Sequence, residues 1–239
     1  MTHPHSVALL FFGVLSVSAC RSTGDDAGSR DSAPSVVSAS AAPRTPADAP
    51  PIPVADGVNR AILGEIAPDF ALPDVDGREH RLSKYRGKIV VLEWFNPNCR
   101  FVAYAYAEGP LREMHERYSA AGVVWLAINS ISPEQAGADA ATNRAFAAQH
   151  RLRTPILFDT TGVVGRSYGA KTTPHLFVIN ERGLLVYRGA LDNAPLGRVE
   201  STASKINYVE AAIADLKSGH GVTMTDVRPY GCGVRYGKP

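Results

Sequence analysis

The residues from Lys88 to Phe95 form a near-continuous apolar run, Ile89-Val90-Val91-Leu92 followed by Glu93, Trp94 and Phe95. A strand of that kind has no solvent face. It belongs in a sheet covered on both sides, which points to an α/β architecture. Directly after it come Asn96-Pro97-Asn98-Cys99 and then a helical pattern, so Cys99 falls at a helix N-terminus. Unpaired N–H groups and the helix dipole favour a thiolate there, and the thiolate is the reactive form of cysteine. The position therefore suggests redox or nucleophilic chemistry. The alternative fate of a free cysteine is to serve as a small buried hydrophobe.

The rest of the pattern fixes an order of elements. Upstream, Ala67–Leu72 alternates as a short edge strand, and Asp76-Gly77 signals a turn. After Cys99 a helix is expected to about Ala120, interrupted at Gly109-Pro110 and ended by Gly122, with Arg117 in its last turn. Val123–Ile128 reads as a second buried strand. Pro133–His150 is Ala-rich and predicts a helix whose apolar face carries Ala141, Ala145, Phe146 and Ala148. A short strand at Ile156–Phe158 and a short helix at Val163–Tyr168 follow. His175–Asn180 and Leu184–Tyr187 form a hairpin through Glu181-Arg182-Gly183. Ile206, Val209, Ala212, Ile213 and Leu216 then line one face of a helix. The tail from Val222 to Pro239 is rich in Gly and Pro and shows no period. Right-handed crossovers make the first two buried strands parallel, and the hairpin closes the sheet. The expected fold class is α/β, thioredoxin-like, with a central mixed β-sheet flanked by helices on both faces.

The N-terminus carries different information. An apolar stretch from Val7 to Val17 ends in small residues, the pattern of a secretory signal peptide. Val17-Ser18-Ala19-Cys20 also fits a bacterial lipobox, so residues 1–20 are expected to be a lipoprotein-type signal with Cys20 as the lipidation site. An ordinary signal peptide with an incidental cysteine is the other reading. Arg21 stands where inner-membrane retention usually needs Asp, so the outer membrane is the expected destination in a diderm cell. Residues 21–59 are dominated by Ala, Ser, Pro, Thr and Asp, and are expected to form a disordered tether. Residues 60–239 suit one domain. A net charge of +2 gives no reason to invoke nucleic acid, and no later stretch is apolar enough to span a bilayer. Membrane contact is thus expected only through the lipid. With Cys20 set aside, Cys99 and Cys232 remain of the three cysteines, one pair in an oxidising compartment.

Ala67-Pro68-Asp69-Phe70, the strand into Trp94, Cys99 at its helix start and Thr172-Thr173-Pro174-His175 together resemble the thioredoxin-like superfamily. Within it the chain resembles the alkyl hydroperoxide reductase/thiol-specific antioxidant branch. It is most similar to a peroxiredoxin-like group with an Asn-Pro-x-Cys site and a C-terminal Gly-Cys-x-Val-Lys/Arg-Tyr, here Asn96–Cys99 and Gly231–Tyr236. The resemblance implies that Cys99 is the attacking cysteine, with Val102 where a resolving cysteine would stand. It implies a cis-proline at Pro174 whose preceding residue, Thr173, offers backbone to an extended substrate. It also implies a buried acid at Glu93 that assists proton transfer; a solvent-facing strand residue is the alternative. Asn96 belongs to the catalytic motif. Trp94, Pro97 and Arg100 are expected beside the substrate, with Arg100 favouring thiolate or lying on the helix surface. Typical peroxiredoxins carry Thr or Ser where this chain has Asn96, and Pro where it has Leu92.

Two chemistries stay open. Cys99 attacks a peroxide or a protein disulfide, Cys232 resolves the product, and a thioredoxin-type thiol reductant restores both. A permanent Cys99–Cys232 staple is the structural alternative. A different class is a copper-binding lipoprotein using Cys99, Cys232 and His175. The expected chain needs no cofactor and holds no metal. Tyr104, Tyr106 and Tyr118 fall near helical spacing and read as packing.

Overall fold

A computed structural model describes residues 60–200 and 202–237. The expected signal peptide, Cys20 and the 21–59 tether lie outside the described residues. The strands are β1 (Ala71–Pro73), β2 (Glu79–Arg81), β3 (Val90–Trp94), β4 (Val124–Asn129), β5 (Ile156–Phe158), β6 (Thr172–Thr173), β7 (His175–Ile179), β8 (Leu185–Gly189) and β9 (Cys232–Gly233). The α-helices are α1 (Arg100–Ala107), α2 (Leu111–Ala120), α3 (Ala140–His150), α4 (Val163–Tyr168) and α5 (Tyr208–Lys217).

The central sheet has the order β5-β4-β3-β7-β8. β3, buried at every position, lies in the middle. It runs parallel to β4 and antiparallel to β7, so Trp94 is flanked by Ile128 and His175. Alternation along β3 divides the core. Val91 and Phe95 join Cys99 and residues of α1, α2, α3 and α5 on one face. Val90, Leu92 and Trp94 pack on the other against Phe70, Leu82 and Tyr168.

Three local expectations shift. The edge strand anticipated at Ala67–Leu72 is confined to β1, which pairs with β2 in a separate ribbon. The Ala67 N–H goes to the Gly183 carbonyl, and Asp74 Oδ1 closes the following turn by accepting from the N–H groups of Asp76 and Arg78. The helix expected from Pro133 begins only at Ala140. Asp139 caps it, its Oδ1 accepting the Thr142 N–H at 2.8 Å. Its inward face is Asn143, Phe146 and His150, while Ala141, Ala145 and Ala148 are exposed. Alanines bury too little surface to orient a helix. Here Asn143 decides, bonding Asn129 and the Gly137 carbonyl. Ile206 precedes α5 and is 41% exposed, because Asn207 caps the helix through the Glu210 N–H.

Candidate active site

The turn after β3 is built by one asparagine. Asn96 Oδ1 accepts the Asn98 N–H at 2.8 Å, and the Asn96 carbonyl accepts the Cys99 N–H at 3.0 Å. Cys99 is thereby delivered as the N-cap residue of α1, with its own carbonyl bonded to the Ala103 N–H. The residue is only 1% exposed. Its Sγ–H donates to the carbonyl oxygen of Thr173 at 3.0 Å. The Thr173-Pro174 bond is cis. Pro97 is half-buried beside this turn.

The C-terminal tail converges on the same point. β9 pairs antiparallel with β6, setting Cys232 opposite Thr173 and Gly233 opposite Thr172. The Cys99 thiol and the backbone N–H groups of Phe101 and Arg100 make up the electrostatic surroundings of the Cys232 sulfur. Burial and the neighbouring Cys99 thiol raise the Cys232 pKa, against the pull of those two N–H groups. Both cysteines are free thiols, Cys99 buried and Cys232 partly exposed. Gly231 makes the approach possible. Its φ is +139°, and a Cβ there would lie 2.2 Å from the Thr173 carbonyl oxygen.

The tail motif explains itself residue by residue. The Val234 N–H bonds the Lys171 carbonyl, and the Arg235 carbonyl accepts from the Ser132 N–H. Tyr236 sits in a slot opened by Gly162 and Gly165, with its hydroxyl on the Ala170 carbonyl and Arg166 stacked 4.7 Å over its ring.

Glu93 is fully buried on the sheet face that Val91, Phe95 and Cys99 share. Its Oε2 accepts from Tyr106 Oη and Trp125 Nε1, both at 3.0 Å, and meets His115 Nε2 at 3.1 Å. His115 Nδ1 in turn meets the Thr154 hydroxyl at 2.7 Å. Burial and the adjacent carboxyl raise the Tyr106 phenol well above its ordinary pKa, so it stays a donor. Tyr106 is therefore more than packing. Nothing local in the sequence marks His115, Trp125 or Thr154. The usable signal is an acid on an otherwise apolar strand, which must find partners. Glu93 Oε1 and Thr173 Oγ1 are buried without hydrogen-bond partners among the described residues.

Trp94, expected beside the substrate, is instead sealed on the opposite face of the sheet from Cys99. Its indole N–H is taken by Ser130 Oγ and its ring packs on Tyr168 and Phe177. Successive strand residues point to opposite faces, so the residue after Glu93 cannot share its side. Arg100 is exposed, with its guanidinium stacked 5.0 Å over the Phe101 ring. Its backbone N–H acts to lower the Cys232 pKa.

His175 is buried in β7. Its Nδ1 accepts the Lys171 N–H and its ring lies 4.5 Å from Phe177. Burial, aided by the Lys171 and Arg188 charges, lowers its pKa to about 3. The unfolded chain titrates near 6.5, so it binds the extra proton first. His175 therefore contributes stability that is complete above about 6.5 and lost as pH falls toward about 3. His175→Gln is expected to flatten that limb of the stability–pH curve in urea unfolding. A limb of unchanged slope would show that other groups produce it.

A mixed five-stranded sheet, with a thiol capping its first long helix against a cis-proline loop, defines a protein of the thioredoxin-like class. The chain belongs to the AhpC/TSA family, whose family model matches residues 63–188. The tail with Cys232 lies beyond that match. Over 125 residues the chain is 35% identical to thiol-disulfide oxidoreductase ResA of Geobacillus thermodenitrificans, covering 51% of this chain and 65% of that protein. Over 135 residues it is 32% identical to chloroplastic peroxiredoxin Q of Triticum aestivum, covering 52% and 57%. The chain thus spans less than two thirds of the length of these curated relatives. A crystal structure of a hypothetical protein from Sinorhizobium meliloti 1021 superposes with a TM-score of 0.66 at 26% identity, covering 76% of this chain and 98% of that one. Among the described residues, no helix is long and apolar enough to cross a membrane.

Proposed function

We propose that the protein is a thiol-dependent oxidoreductase in which Cys99 is the redox nucleophile and Cys232 the resolving cysteine. The observation that carries this reading is the meeting of both thiols at Thr173, one bonded to its carbonyl and the other paired with its backbone. Cys99 attacks a peroxide or a disulfide and becomes a sulfenic acid or a mixed disulfide. The Cys232 thiolate then attacks the Cys99 sulfur, forming Cys99–Cys232 and releasing water or the partner thiol. A dithiol reductant of the thioredoxin type returns both to thiols. Asn96 positions the nucleophile through its turn, and Glu93 handles the departing proton from the shared sheet face. Pro97 and the Thr173-Pro174 loop border the reacting sulfur. The names of the two curated relatives, one an oxidoreductase of disulfides and one a peroxiredoxin, support the general chemistry.

The test is turnover with a thioredoxin system as electron donor, supplied separately with hydrogen peroxide and with an oxidised protein. Consumption of reductant is expected to fall to background in Cys99→Ser. Turnover that survives this substitution would sink the reading.

The chain is further proposed to be exported and held at the cell envelope by a lipid on Cys20, with residues 21–59 as tether. The Val17-Ser18-Ala19-Cys20 sequence supports this. Radiolabelled palmitate should enter the wild type and not Cys20→Ala; equal labelling of both would reject the anchor.

A further inference from the structure

The edge of β6 beside Cys99 is already occupied, and its occupant is the chain's own tail. Extended peptides bind open sheet edges through their backbone, with side chains adding specificity. Here β9 provides that backbone. The Lys171 carbonyl takes the Val234 N–H, and in the reduced protein the Thr173 carbonyl accepts the Cys99 thiol. The tail is fixed on both sides of the contact. Upstream, Arg188 exchanges backbone bonds with Thr225 and Val227 and pairs with Asp226, while Tyr230 Oη donates to Asp192. Downstream, Tyr236 fills its glycine slot and Arg166 bonds the Gly237 carbonyl. Gly231 lies so close to Thr173 that no side chain fits between them. Cys99 is left 1% exposed.

We propose that this strand acts as a built-in substrate strand which restricts Cys99 to small hydroperoxides and excludes extended protein disulfides. The proposal rests on the reading of Cys99 as redox nucleophile and names its substrate class. A hydroperoxide needs no sheet edge. The Cys99 thiolate attacks one peroxide oxygen, an S–O bond forms and the O–O bond breaks. The departing hydroxide or alkoxide takes up a proton, sulfur is oxidised and the peroxide is reduced. An extended peptide disulfide must first displace β9. Its reaction is slowed by the small fraction of molecules with the tail undocked.

The experiment uses Cys232→Ser as the background, so that products on Cys99 are not resolved. Two tail-freeing changes are added separately, Gly231→Ala and Tyr236→Ala. Each protein is treated with hydrogen peroxide plus a sulfenic-acid trap. It is also treated with an extended peptide whose single cysteine carries a good leaving thiol as a mixed disulfide. Both tail-freed proteins are expected to take up the peptide on Cys99 about fivefold or more faster than the Cys232→Ser background. Their peroxide rates should stay within about threefold of it, since the peroxide does not use the edge. Equal peptide rates in all three proteins would overturn the proposal while leaving Cys99 a redox nucleophile. No reaction of Cys99 with either oxidant in any of them would overturn the underlying reading instead.

Discussion

Alanine at Gly231 is expected to slow formation of the Cys99–Cys232 disulfide by about fivefold or more. The added methyl carbon would lie 2.2 Å from the Thr173 carbonyl oxygen and 2.7 Å from its carbon, both backbone atoms that cannot rotate away. A φ of +139° compounds the problem, because L side chains rarely adopt it. Strain of this kind costs on the order of 1–3 kcal/mol. That energy shifts tail docking by roughly five- to 150-fold. The first oxidation of Cys99 does not need the tail, so the sulfenic acid should accumulate before the disulfide appears. Quenched-flow mass analysis of the oxidised protein reads both species. Disulfide formation at the wild-type rate would mean that the tail reaches Cys99 by a route other than β6–β9 pairing.

Leucine at Glu93 is expected to cost about 3–5 kcal/mol of folding stability. The carboxyl oxygen Oε2 serves Tyr106, Trp125 and His115 at once, from two helices and a neighbouring strand. An apolar replacement strips the Trp125 N–H of its partner and leaves Tyr106 Oη and His115 Nε2 only each other, 3.1 Å apart. An unsatisfied buried group costs about 1–3 kcal/mol and the loss of a buried charged partner about 3–5 kcal/mol. Glu93→Gln keeps an acceptor and should lose clearly less. Urea unfolding of the three proteins measures the difference. A leucine variant as stable as the wild type would show that the network is replaceable by packing. The same pair of variants separates stability from chemistry, since a glutamine variant that folds well yet oxidises slowly would locate the proton-handling role in the ionisable group.

Much of this architecture is written locally. The apolar run at Ile89–Leu92 states its burial on both faces, and Ile156–Phe158 and Val163–Tyr168 are bounded as their patterns imply. Cys99 is legible because a buried strand, a polar turn and a helix pattern adjoin it directly. What is not legible depends on partners distant in the chain. The tail has no period, yet β9 forms because Thr172 and Thr173 offer it an edge. Tyr236 is informative only once Gly162 and Gly165 are known to leave a slot. The inward face of α3 is set by Asn143 and its bonds to Asn129 and Gly137, which outweigh the alanines that dominate its composition. Trp94 shows a different limit. Motif position places it next to the site in sequence, while strand alternation sends it to the other side of the sheet.

The pairing of Cys99 with Cys232 at Thr173 is tested directly by one measurement. The fully reduced protein is mixed with one equivalent of hydrogen peroxide and its intact mass followed over seconds to minutes. A rapid loss of the mass of two hydrogen atoms is expected, as one disulfide forms. That loss should vanish in Cys99→Ser and in Cys232→Ser, with the latter gaining an oxygen at Cys99 instead. Reduced protein whose mass stays unchanged would contradict the pairing, as would a loss of two hydrogens that persists without Cys232.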